Sequence, residues 1–154
     1  MTTTHRSLPR AFVATLLLSC CGVFLQAVTA GLFVNQDGRD SWVSVHGVIA
    51  DVTWASALVA AVIGIARVRR SRPSLAYGAA ALFVLALVQT GLGHLITDKG
   101  MDGLLVVHVP LAVVLFGLAT WLLIGVARAH RVLPDVIDPY VDDAAEPLML
   151  ANRR

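Results

Sequence analysis

Four stretches of this chain are too long, too apolar and too free of charge to belong in water. Residues 11–34 carry no charged side chain, residues 73–97 and 103–127 carry no charge apart from any on His94 and His108, and residues 41–66 carry one acid, Asp51. A helix crosses the hydrocarbon core of a bilayer with about 20 mostly apolar residues, and each stretch reaches that length. Helices are the expected form, because lipid offers backbone amides no partner and the runs are too long for barrel strands. Only 14% of residues are charged and 57% are hydrophobic, against about 25% charged in an ordinary soluble domain. The sequence therefore predicts an all-α membrane protein, a four-transmembrane-helix bundle with spans at 11–34, 42–66, 74–97 and 103–127. Its first partner is the lipid bilayer. A net charge of +2 gives no ground for a nucleic-acid partner.

The connectors set the topology. Residues 35–41 and 98–102 are rich in Asp and Gly, as turns are. Arg6, Arg10, Arg67, Arg69, Arg70, Arg72, Arg128 and Arg131 gather at one side of the four spans, while the other side holds Arg39 and Lys99, each beside aspartates. Basic loops stay cytoplasmic, so both termini are expected inside, in a multi-pass protein of the inner (plasma) membrane. The division is then a cytoplasmic N-terminal segment at 1–10, the transmembrane domain at 11–131, and a flexible acidic cytoplasmic tail at 132–154, where Asp135, Asp138, Asp142, Asp143 and Glu146 sit among three prolines. The first span is read as uncleaved, since apolar sequence continues from Cys21 to Val34, well past the about 7–15 residues of a signal peptide. Lipidation at Cys20 is the rival reading. Adjacent Cys20 and Cys21 are poorly placed to bridge each other.

The chain also says one thing twice. Gln26, His46 and Arg67 recur as Gln89, His108 and Arg128. Glutamine to histidine is 20 residues in the first half (26 to 46) and 19 in the second (89 to 108); histidine to arginine is 21 (46 to 67) and 20 (108 to 128). Around the arginines, Ile63-Gly64-Ile65-Ala66-Arg67 matches Ile124-Gly125-Val126-Ala127-Arg128. Two tandem helical hairpins of the same sense imply pseudo-twofold symmetry about the membrane normal.

Each half contributes one histidine at a matching depth, about 6–8 Å inside the outer boundary at 1.5 Å rise per residue. In a four-helix bundle with short loops the second and fourth spans are diagonal, so His46 and His108 are expected to point at each other across the axis. Two facing imidazoles suit haem iron, which takes axial nitrogen ligands. Gly31, Gly91 and Gly93 leave room for a macrocycle, and Pro110 bends the fourth span and frees a carbonyl near the site. Another metal, a quinone or a purely structural role are the competing readings of the pair. Gln26 and Gln89 either line the pocket floor or bond across helices. His94 either meets a haem propionate or substrate, or sits at the interface. Asp51 lies about 140° around the helix from His46; it is expected to relay protons or to bond a neighbour such as Ser19 or Thr90. Arg67 and Arg128 read as cytoplasmic anchors, and the cluster at 67–72 is also placed to bind anionic lipid head groups.

On Gln89-Thr90-Gly91-Leu92-Gly93 with His108, and more weakly on Gln26 with His46, residues 20–128 resemble one half of haem A synthase. That family is built from two four-helix units, each with a histidine pair on its second and fourth helices. The chain also looks like small uncharacterised four-span bacterial membrane proteins. It departs from haem A synthase in having one unit, in carrying Val43 where the catalytic acid is expected, and in lacking the paired cysteines of an outer loop. The resemblance implies haem binding and argues against haem hydroxylation by this chain alone.

The expected function is that of an integral membrane b-type haem-binding protein. His46 and His108 are the axial ligands, Gln26, Gln89, Gly91, Gly93 and His94 lie around the cofactor, and no catalytic activity is expected of the chain on its own. Two histidines saturate the iron, which favours electron transfer or haem handling over oxygen chemistry. One haem near the outer face calls for a membrane redox partner, a quinone or a homodimer. The alternative is a haem-free accessory or assembly subunit of a membrane complex. A proton-coupled transporter using Asp51 and the histidines ranks last, because four helices are few for that task.

Overall fold

The computed structural model describes residues 7–34 and 39–131. Four long helices fill this range: α1 (Arg10–Val34), α2 (Arg39–Ile63), α3 (Pro73–Lys99) and α4 (Leu105–Arg131). There is no strand among the described residues, and all four helices are long and apolar enough to cross a membrane. The readings of the acidic tail and of the first six residues lie outside the described residues.

Local chemistry sets the helix ends. α2 runs into a π-helical turn, Gly64–Val68, where the Arg69 N–H bonds the Gly64 carbonyl at 2.9 Å; such widened turns interrupt the regular ladder. Pro73 opens α3 at its first position, where a missing N–H costs nothing. Gly100 closes α3 in the left-handed region at φ 65°, a conformation glycine adopts without a Cβ penalty. Pro110 lies inside α4 and removes the N–H that would have met the Val106 carbonyl.

Each helix packs on its sequence neighbours and α4 closes the ring against α1, leaving α1/α3 and α2/α4 as diagonals that barely touch. Directions alternate. At one end, a Cβ built on Gly64 would come within 3.2 Å of both Phe12 Cε2 and Ala76 Cα, and one on Gly125 would clash with Leu75. At the other end, α1 meets α2 through Thr29 and His46, and α3 meets α4 through Gln89 and His108. These are called here the arginine end and the histidine end.

The arginine end holds most of the core. Phe12, Leu16, Leu82, Leu122 and Val68 are fully buried, with Ala57, Ala60, Ala76, Ala79 and Ala119 between them. Small residues at helix contacts let backbones approach, and this close packing drives association where hydrocarbon surrounds every helix. Large apolar side chains such as Val106, Val113 and Val62 point outward, as suits a lipid-facing surface. The burial registers of the two halves match. Phe12, Leu16, Ser19 and Val23 of α1 correspond to Leu75, Ala79, Leu82 and Ala86 of α3, spaced as Gln89 is from Gln26. Thr53, Ala57, Ala60 and Gly64 correspond to Leu115, Ala119, Leu122 and Val126, spaced as His108 is from His46.

Candidate functional site

His46 and His108 enter the histidine end from the two diagonal helices. Both are half-buried, and their imidazoles lie within electrostatic reach of each other. Each is held against the helix that precedes it in sequence. The main-chain carbonyl of Gln26 lies beside His46, and that of Gln89 lies beside His108. The repeated glutamines therefore mark the places where the histidines meet backbone.

The surroundings of the two rings differ. His46 Nδ1 is 2.9 Å from the hydroxyl of Thr29, a buried residue whose Oγ1 also lies 3.0 Å from the Leu25 carbonyl and 3.1 Å from that of Gln26. A hydroxyl has one proton. When that proton goes to a carbonyl of α1, the oxygen accepts the Nδ1–H of His46, and the Nε2 lone pair is left for another partner. Phe33 closes one side, edge-on to the ring at 5.5 Å and 88°. His108 Nδ1 is buried and makes no hydrogen bond of ordinary geometry, although the Gln89 carbonyl approaches the ring. Gln89 is itself buried. Its Nε2 donates to the His108 carbonyl at 3.0 Å, while its Oε1 has no partner. Buried polar atoms are nearly always paired, and these two orphans lie on residues that touch each other across α3 and α4.

The expected glycines divide. Gly93 lies against the His108 ring, where a Cβ would sit 3.6 Å from Cε1, while Gly31 and Gly91 are exposed on the outside of their helices and leave no room beside the histidines. Gln26 is half-buried, and its carbonyl rather than its side chain is what reaches the site. His94 is exposed, and its Nδ1 lies 3.5 Å from an Asp98 oxygen one turn on. Asp51 bonds neither Ser19 nor Thr90. Ser19 pairs with Ser56 at 2.8 Å, Thr90 donates to the Ala86 carbonyl, and Asp51 is exposed and accepts from Trp54 Nε1 at 3.1 Å. At the arginine end, Arg72 and Arg128 line a cleft of about 460 Å³ with Ser71, Ser74 and Trp121.

Thr29 was not singled out in the sequence, because a threonine in a span is usually occupied by its own helix carbonyls. Its position 17 residues before His46, across a short connector, was the available signal. Among the described residues no group of three or more His, Cys, Asp or Glu converges as a metal site would require. The chain matches no protein-family model, no curated protein and no solved structure.

Proposed function

We propose that the protein is a b-type haem-binding membrane protein, with His46 and His108 as axial ligands at the histidine end. The observation that carries this reading is the pair itself: two imidazoles on diagonal helices, each able to feel the other's charge, one with its Nδ1 engaged by a buried hydroxyl. Metal-bound histidines ordinarily donate their second ring N–H to an oxygen of the protein, and Thr29 is placed to accept it. A closed zinc site needs four protein ligands, and two histidines do not supply them. Haem brings four ring nitrogens of its own and asks the protein for two axial ligands at most. The orphaned Gln89 Oε1 and His108 Nδ1, with Gly93 rather than a larger residue against the His108 ring, suit a further group beside the histidines.

When bound, haem supplies one-electron redox chemistry. The residues of this chain hold and orient it. Gln89 fixes the turn that carries His108 through the carbonyl of that residue, Thr29 fixes the rotation of His46, and Phe33 shields its edge. With both axial positions taken by histidine, the reading is electron transfer or haem handling with a membrane redox partner or quinone. The matched burial registers support two tandem hairpins about a pseudo-twofold axis, and the arginine distribution supports a multi-pass inner-membrane protein with both termini cytoplasmic. The likeness of Gln89–Gly93 and His108 to the haem A synthase unit points the same way.

The test is the optical spectrum of protein purified in detergent after expression with haem supplied. The proposal expects a Soret band, with a sharp reduced band at the b-type position. Both are lost in the His46→Ala, His108→Ala double variant. A folded wild-type protein without a Soret band would instead favour a haem-free accessory subunit.

A further inference from the structure

Asp51 stands apart from everything the histidine pair uses. It lies nine residues after Trp42 in α2, about 13 Å along the helix at 1.5 Å per residue, close to the middle of a hydrocarbon core of about 30 Å. There it is exposed on the outer surface of the bundle. Only one of its oxygens is occupied: Oδ1 accepts from Trp54 Nε1, and Oδ2 has no partner among the described residues. A carboxyl group that faces hydrocarbon is costly, and ionisable groups in spans almost always face protein or water. Asp51 is exposed, so no other helix of this bundle covers it on that side.

The surface around Asp51 has the spacing of a helix seam. Ser44, Val48, Asp51, Ala55, Leu58 and Val62 are all exposed, and they follow one another at intervals of four, three, four, three and four residues. This is the a/d pattern by which one helix packs along another, and one polar residue in such a seam fixes register and partner. Charge decides the occupant. Between residues 40 and 66, and between the corresponding ends of the other spans, this chain has no Lys or Arg. A second copy in the same orientation would therefore bring carboxyl against carboxyl at this depth.

We propose that this face of α2 is the docking surface for a transmembrane helix of a different protein, one that carries a Lys or Arg at the depth of Asp51. The cation meets Asp51 in the middle of the seam and the apolar positions on either side pack against the incoming helix. Trp54 holds the carboxyl in place through its indole N–H. The surface is independent of haem, since Asp51 and His46 lie on different faces of α2.

The experiment uses the full chain, fluorescently labelled and reconstituted in phosphatidylcholine nanodiscs. The probe is a synthetic oligoleucine transmembrane helix with one Lys at its centre, compared by energy transfer with an all-leucine helix. The wild type is expected to bind the lysine helix about tenfold more tightly than the leucine helix, the size of a polar contact between membrane helices. Asp51→Asn erases that preference and Asp51→Glu keeps it, with the helical content of all three proteins unchanged. Equal binding of the two helices by the wild type, or a preference that survives Asp51→Asn, overturns the proposal. So does energy transfer between labelled wild-type copies that Asp51→Asn abolishes, because the face is then covered by a second copy.

Discussion

The two ends of the bundle use the same residue types differently. At the arginine end glycine is a packing device: Gly64 lets α2 approach the backbone of α3, Gly78 accepts Leu122 and Trp121, and Gly125 accepts Leu75. At the histidine end Gly31 and Gly91 are exposed on the outside of their helices and take no part in packing. Polar groups divide likewise. Where α1 and α2 pack closely, Ser19 and Ser56 satisfy each other. At the histidine end two buried polar atoms are left without partners. The contrast places the close packing at one end and the unpaired buried polar atoms at the other.

The largest expected effect tests whether the histidine end is the binding end. Replacing His46 and His108 with Ala abolishes haem binding while thermal unfolding of the haem-free protein stays close to that of the wild type. Retention of haem by the double variant would remove the distinction between the ends. The next effect comes from exchanging glycines for leucine at either end. Gly64→Leu forces a side chain onto Ala76 and should destabilise the fold by about 1–3 kcal/mol, as over-packing does. Gly91→Leu should leave unfolding of the haem-free protein within about 0.5 kcal/mol, as surface changes do, because Gly91 is exposed. Equal losses of stability would mean that the histidine end is packed as tightly as its counterpart.

Smaller effects sharpen the comparison. Thr29→Val removes the oxygen that accepts from His46, and loss of such an outer partner typically costs about 10–100-fold in affinity for the group the histidine binds. Titration of haem into the variant measures it. Gln89→Leu and Ser19→Ala each delete one interhelical bond, worth about 0.6 kcal/mol on average in membrane bundles. The first is expected to alter the haem spectrum and the second only the unfolding temperature.

Much of the frame was legible in the sequence. The charge-free intervals placed four spans, and the recurrence of Gln, His and Arg aligned two halves whose buried positions the structure also aligns. That Gln89 bonds across helices was one of two readings of the sequence, which named no partner for it. The bond takes the form of a side-chain amide on a backbone carbonyl, which residue identity does not specify. Thr29 was hidden because threonine is common in spans and its role depends on the rotation of α1 against α2. Asp51 was legible as lying off the histidine face, since that follows from helical geometry alone. What it faces depends on which flank of α2 its neighbours cover, and Ser19, one of its expected partners, is taken by Ser56. The proposed haem site, too, rests on two residues far apart in sequence, which no periodicity encodes.

The measurement that bears most directly on the account is titration of haem into the haem-free wild type and the single variants His46→Ala and His108→Ala, followed optically. The account predicts a six-coordinate, low-spin spectrum for the wild type at one haem per chain, and a five-coordinate, high-spin spectrum or no binding for each single variant. A wild-type spectrum unchanged in either single variant would contradict it, because haem would then not be held between these two histidines.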